Sequence, residues 1–403
     1  MACRAWNGYD HMERSEPDRT FLSERKLKTL AAAIPTPFYL YDAAGIAARA
    51  ASLQAAFSAL PAYRSFFPVC FCPYPEILTL LHDAGCGALC RNQHELQLAY
   101  ESGYLPQDIL YSGVGECDRT IMCIADNPQL LPPTLPQRIL LRYNPGGRLT
   151  LGAKTLYALD RSRLGMPKDD LIRTAQLLKS YGVQEIGLSF SGASNELRTE
   201  YLPAVAKLLF TLAAELRKQH DIRVCCCCLG DGLGVSLKPE IPDADAALCA
   251  KQILALYREI LTPAGLGELP VYLTPGRYLL APNAIFLTHV LCCKRRAVPL
   301  IIVDAAASQF PDTALKGRVH HISVLGKCTA AARQQVCAVA AQTDLQLFSP
   351  SCVLPPVEAG ALLVFHTAGC VSRSYVPGDG FAPAQQYLLM PDGTTEPLAS
   401  TAW

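Results

Sequence analysis

The sequence carries no excess of either charge: 36 lysines and arginines face 35 aspartates and glutamates, a net charge of +1 over 403 residues. Without a basic surplus the composition offers little to hold a phosphate backbone, so nucleic acid is excluded as an expected partner. Also missing is any uninterrupted apolar run of the ~18 residues that a membrane-spanning helix needs. The opening residues, Met1-Ala2-Cys3-Arg4-Ala5-Trp6-Asn7, lack the apolar centre of a secretory signal. A soluble, cytoplasmic protein is the expectation.

Cysteine, by contrast, is plentiful, with 18 in the chain, and half of all residues are apolar. Cys225 to Cys228 run consecutively in what reads as a buried strand. In a regular strand Cys225 and Cys228 point to opposite faces, whereas a tetrahedral metal site needs converging ligands. No metal is expected. The thiols read as small buried hydrophobes of a reducing compartment.

The length suggests two domains, or a large barrel with a smaller unit. Residues 1–34 form a charged N-terminal segment with a short helix near Ser23–Ala33, expected to pack on a later β domain. After the breaker Pro35-Thr36-Pro37 come a strand, Phe38–Asp42, and a helix, Ala43–Leu60. Strand Phe66–Cys72 then meets Pro73-Tyr74-Pro75 and a helix to Ala84. The end of such a strand is where barrel enzymes keep their chemistry. Cys70 stands there, with Cys72 two residues on and so on the same face. The stretch holds no lysine, histidine or carboxylate.

Further strands are expected at Ala88–Cys90, Ile109–Ser112, Arg138–Tyr143, Glu185–Phe190, Arg223–Leu229 and Val271–Leu273. Helices are expected at Gln93–Ser102, Cys117–Asp126, Lys168–Tyr181, Leu197–Gln219 and Asp243–Leu261, with Asn144–Ser162 as a loop. This alternation argues for a parallel barrel over residues 35–277. From residue 278 to 403 short strands dominate, which suggests a mostly antiparallel second domain.

The order of several short motifs carries a resemblance. They are Thr36-Pro37-Phe38-Tyr39-Leu40-Tyr41-Asp42, Leu141-Arg142-Tyr143-Asn144-Pro145-Gly146, Ser162-Arg163-Leu164-Gly165, Leu229-Gly230-Asp231-Gly232-Leu233-Gly234 and Pro275-Gly276-Arg277-Tyr278. In the second domain follow Val303-Asp304-Ala305, His320-His321-Ile322-Ser323, Cys352 and Glu358-Ala359-Gly360-Ala361. The chain resembles the fold-type III decarboxylases that use pyridoxal phosphate, the diaminopimelate, ornithine and arginine decarboxylase group. The resemblance implies a (β/α)8 TIM-type barrel, alanine racemase-like, with a C-terminal antiparallel β domain. It implies pyridoxal phosphate as cofactor and decarboxylation of a diamino acid such as diaminopimelate, lysine or ornithine. It also implies a dimer, either a homodimer or a heterodimer with an active homologue.

At the individual positions the family's chemistry is altered. The lysine that forms the Schiff base falls on Cys70, and a thiol cannot form an imine. The ring-stacking histidine falls on Ser191, and the phosphate loop of three glycines reads Gly230-Asp231-Gly232. A carboxylate about 4 Å from a phosphate costs roughly 4 kcal/mol at a near-surface dielectric. The glutamate beside the pyridine nitrogen falls on Thr274, ahead of Pro275, Gly276 and Arg277. The substrate arginine and tyrosine fall on Asp312 and Lys316, and the phosphate-binding tyrosine on Asp379, four residues from Tyr375. Cys352 matches a family cysteine that reaches the partner subunit's site. A reactive thiol pair at Cys70 and Cys72 needs a neighbouring base or cation, which the stretch lacks. His320-His321 reads as structural. The expectation is a homologue that retains the fold with its catalysis impaired.

Overall fold

A computed structural model describes residues 21–398, apart from 114–115, 128, 130, 132–133, 152–153, 160–161, 313–316, 328–333, 343–345 and 371–380. Helix α1 (Glu24–Ala33) and strand β1 (Phe38–Asp42) lead into α2 (Ala43–Phe57). Five strands follow, β2 (Arg64–Pro68), β3 (Gly87–Cys90), β4 (Ile109–Tyr111), β5 (Met122–Ala125) and β6 (Arg138–Arg142). After a hairpin of β7 (Arg148–Leu151) and β8 (Lys154–Ala158) come β9 (Glu185–Ser189), β10 (Val224–Cys228) and β11 (Val271–Leu273). Leaving the hairpin aside, β2 to β11 make eight parallel strands, and β11 returns to β2 with Tyr272 opposite Arg64, closing a barrel.

Alternation builds the barrel wall. On β5, Met122 and Ile124 join Phe66, Leu110 and Leu140 in the interior cluster, while Cys123 and Ala125 pack outward into the main core. Helices α3 (Pro75–Asp83), α4 (Gln93–Glu101), α5 (Lys168–Ser180), α6 (Tyr201–His220) and α7 (Ala246–Leu256) supply that outer core. Their starts have local causes. Pro75 fills the first position of α3, where a missing N–H costs nothing. Asn92 and Asp245 cap α4 and α7 by accepting the Glu95 and Leu248 amides, each at 2.9 Å.

The short helix α8 (Arg277–Leu280) ends the barrel. Beyond it lie β12 (Ala284–Lys294), β13 (Leu300–Val303), β14 (Ile322–Val324), β15 (Gln335–Ala340), β16 (Leu347–Leu354), β17 (Leu362–Phe365), β18 (Gln385–Leu389) and β19 (Thr395–Pro397). They form a mixed sheet with the path β16-β15-β13-β12-β1-β18-β19, in which β17 pairs with β12 and β14. Most pairs are antiparallel; β1–β18 and β13–β15 run parallel.

Several expectations are corrected. A boundary at residue 35 assigns Phe38–Asp42 to the barrel, but β1 lies inside the second sheet between β12 and β18. Both of its faces are apolar, so it needs cover on each: Phe38 and Leu40 pack with Leu27, Ile285 and Leu287, while Tyr39 and Tyr41 face the main core. The expected helix over Cys117–Asp126 is β5 at its C-terminal half, because a four-residue apolar run buried on both sides fits a strand as well as a helix. The strand over Phe66–Cys72 stops at Pro68, and Val69–Phe71 form a 3-10 turn closed by Cys72 N–H to Val69 O at 3.1 Å. Cys70 and Cys72 therefore do not share a strand face. The loop Asn144–Ser162 contains the β7–β8 hairpin. The helix placed over Asp243–Leu261 is α7 followed by a wider π-type turn, Tyr257–Leu261. Strand β10 is irregular, with a register shift between Val224 and Cys227 that leaves Cys225 on the interior cluster with Cys226 and Cys228. Even so, no group of His, Cys, Asp and Glu side chains able to hold a metal ion occurs among the described residues. Nor is any helix among them long and apolar enough to cross a membrane.

Of the N-terminal segment, α1 lies on the second sheet, where Leu27 is fully buried against Phe38, Leu40 and Val364. Leu27→Ala is expected to cost roughly 2–5 kcal/mol of stability in urea unfolding. A loss below about 0.5 kcal/mol, the level of an ordinary surface substitution, would mean that α1 does not pack there.

Candidate functional site

At the C-terminal ends of the barrel strands lies a cavity of about 300 Å³. A larger groove of about 450 Å³, lined by Lys179, Glu185, Arg223 and Glu268, lies at the opposite end of the strands. The smaller one is the candidate, because parallel barrels assemble their sites from the loops at the carboxyl ends. Cys70 and Phe71 contribute the wall after β2, and Ser191 the wall after β9. Gly230 and Asp231 follow β10, and Thr274 follows β11. The structure thus gathers five positions singled out in sequence: Cys70, Ser191, Gly230, Asp231 and Thr274. None of the described lining residues is a lysine.

The remaining positions lie around this cavity or elsewhere. Gly276 backs it from outside: a Cβ there would stand 2.0 Å from the Phe71 ring, so only glycine admits that ring. Gly232 has φ +139°, and a Cβ there would meet Tyr201 at 2.4 Å. Lys316, Tyr375 and Asp379 fall outside the described residues. Cys352 is on β16 of the second sheet, opposite Cys337. Arg91, Arg142 and Ser194 also line the cavity, and sequence reading did not flag them as site residues. The available signal was positional, since Arg91 and Arg142 stand at or just beyond the ends of β3 and β6.

Every charged group here is already engaged. Arg91 reaches Glu95 at 2.8 Å, and Glu95 is fully buried. The Nη1 of Arg142 donates to both Asp126 oxygens, at 2.8 and 2.7 Å. Asp231 accepts the Gly232 amide at 2.8 Å and the Ser194 hydroxyl at 3.0 Å. Burial nonetheless raises its carboxyl above the ordinary range, a shift moderated by those two bonds and by the charges of Arg277 and Arg318.

Behind Asp231 sits a second carboxylate. Arg277, 2% exposed, grips Asp312 with two nitrogens at 3.0 and 3.1 Å. Arg318 adds a contact at 3.0 Å and His320 Nε2 one at 3.1 Å. Burial alone would push the Asp312 carboxyl up, but His320, Arg277 and Arg318 together hold it well below the usual carboxylate range. His320 is thus engaged at both ring nitrogens, the other one meeting the His366 carbonyl at 3.0 Å.

The two carboxylates should respond oppositely to substitution. Asp312→Asn leaves Arg277 buried against a neutral group and is expected to cost about 3–5 kcal/mol at neutral pH. Because the folded-state pKa is depressed, that contribution is complete above the ordinary carboxylate pKa of ~4 and is lost as pH falls toward the folded value. Asp231→Asn removes a charge that folding disfavours, so it should stabilise at neutral pH, with the gain vanishing in acid where Asp231 is protonated. Urea midpoints at neutral and acid pH check both; an unchanged gain for Asp231→Asn in acid would refute the burial argument.

A family model described as "Pyridoxal-dependent decarboxylase, pyridoxal binding domain" matches residues 44–281. Protein TabA of Pseudomonas amygdali pv. tabaci is 26% identical over 305 residues, covering 72% of this chain and 70% of that protein. A diaminopimelate decarboxylase of Methanothermobacter thermautotrophicus is 23% identical over 379 residues, covering 90% and 88%. Among solved structures, diaminopimelate decarboxylase from Helicobacter pylori complexed with L-lysine aligns with a TM-score of 0.78 at 21% identity, over 92% of this chain and 95% of that one. Lysine decarboxylase from Selenomonas ruminantium gives 0.78 at 18% identity, over 93% and 98%. The matched span takes in every barrel strand and the cavity at their ends, and the chain belongs to the pyridoxal-dependent decarboxylase family.

Proposed function

We propose that this chain is a diaminopimelate decarboxylase-like protein that keeps the family scaffold and does not run its Schiff-base decarboxylation. The observation that carries this reading is the wall after β2. Cys70 lines it, at the position that the resemblance assigns to the family's lysine, and no described residue lining the cavity carries an amine. A thiol has no nitrogen with which to form an imine.

The surrounding groups support the same reading. A bound phosphate needs free N–H and O–H donors, but Asp231 already takes those of Gly232 and Ser194. A substrate carboxylate needs an uncommitted cation, while Arg277 is committed to Asp312. Thr274 brings no negative charge to a pyridine nitrogen. The described residues therefore do not fit covalently held pyridoxal phosphate. The retained barrel and sheet suit a role in assembly, as a homodimer or as the partner of an active homologue.

The test is chemical. Purified protein is incubated with pyridoxal phosphate, reduced with borohydride and mapped by peptide mass spectrometry, with carbon dioxide release from diaminopimelate, lysine and ornithine followed in parallel. No pyridoxyl-lysine and no release above background are expected. A pyridoxyl group on Lys316 or any other lysine, accompanied by turnover, would establish an active carboxy-lyase and overturn the proposal.

A further inference from the structure

The edge of the second sheet holds a pair of thiols that the reading above does not use. Cys337 on β15 and Cys352 on β16 stand directly opposite in antiparallel register, their Sγ atoms 3.7 Å apart. Their neighbours Val336 and Val353, also opposite each other, are 51% and 60% exposed. By alternation the two cysteines turn to the inner face together. Directly opposed Cβ atoms in such ladders lie about 4.5–5.5 Å apart, and a disulfide spans about 3.5–4.5 Å, so a small approach suffices. Strand β16 ends the sheet path, so among the described strands β15 is its one hydrogen-bonded neighbour.

The two thiols are not equivalent. Cys352 is partly exposed, whereas Cys337 is fully buried. The contact between them lowers the Cys352 thiol from its ordinary pKa and, with burial, raises that of Cys337. A lowered, accessible thiol attacks, and a buried neighbour resolves. Cys117 and Cys123 are closer, at 3.1 Å, but Cys117 lies in a loop and no strand ladder fixes its backbone.

We propose that Cys337 and Cys352 form a reversible thiol–disulfide site whose oxidant is a low-molecular-weight disulfide. The Cys352 thiolate attacks one sulfur of that disulfide, forming a mixed disulfide and expelling one thiolate. Cys337 attacks the Cys352 sulfur, forming the Cys337–Cys352 bond, and its proton passes to the departing second thiolate. Two protein thiols are oxidised and one small disulfide is reduced to two thiols. The bond ties the edge strand covalently to its neighbour.

Oxidised glutathione is the probe. Intact protein is titrated with it at neutral pH, quenched in acid, digested without reduction and mapped by mass spectrometry. A linked β15–β16 peptide, two hydrogens lighter than its parts and released by dithiothreitol, is expected. In Cys337→Ser the reaction should stop with glutathione on Cys352. Amide exchange in β16 of the wild type should slow on oxidation and recover on reduction. The proposal fails if both thiols remain free while exposed Cys292 or Cys293 is modified, or if Cys352 links to a different cysteine. It fails equally if the serine variant keeps Cys352 unmodified.

Discussion

The junction of the two domains depends on a buried ion pair. Arg277 opens α8 directly after the last barrel strand, and Asp312 comes from the loop after β13 in the second sheet. An isolated charge at that depth would cost several kcal/mol, and a pair holds only with further hydrogen bonds around it. Arg318 and His320 supply them, and His320 reaches on to the chain after β17. Barrel end, sheet and connecting loops are thus tied at one carboxylate.

The same pair bears on chemistry. A guanidinium at the mouth of a barrel is a natural grip for an acidic ligand, but here the protein's own carboxylate takes both of its terminal Nη nitrogens. Asp231 does something similar one layer nearer the cavity, collecting a backbone amide and a hydroxyl. The cavity lies at the carboxyl ends of the barrel strands, while the charged groups around it are turned to internal partners. Cys70 lies on the wall of the same cavity, in the 3-10 turn that follows β2.

Much of the barrel was legible because long helices and short apolar strands alternate, and that alternation survives errors at element ends. The failures have particular causes. Met122–Ala125 lacks a polar residue to mark a period, so strand and helix were indistinguishable until the neighbours on both sides were known. Phe66–Cys72 reads as one strand from composition, yet Pro68 ends it, and the proline-rich segment behind it favours a turn. The strand β1 was legible as a strand and misplaced as a member of the barrel, because only its pairing with β12 and β18 reveals which sheet it joins.

At the site, sequence alone determined which side chains are available: a thiol at residue 70, a carboxylate at residue 231, and another at residue 312. Those are covalent facts, and no fold can put a nitrogen on the Cys70 side chain. What only the tertiary structure decided is whom these groups meet. Asp312 finds Arg277 across 35 residues and His320 across 8, and Cys352 finds Cys337 across a strand pair. Such contacts arise from sheet register and domain docking, which depend on the packing of the whole chain and leave no local pattern to read.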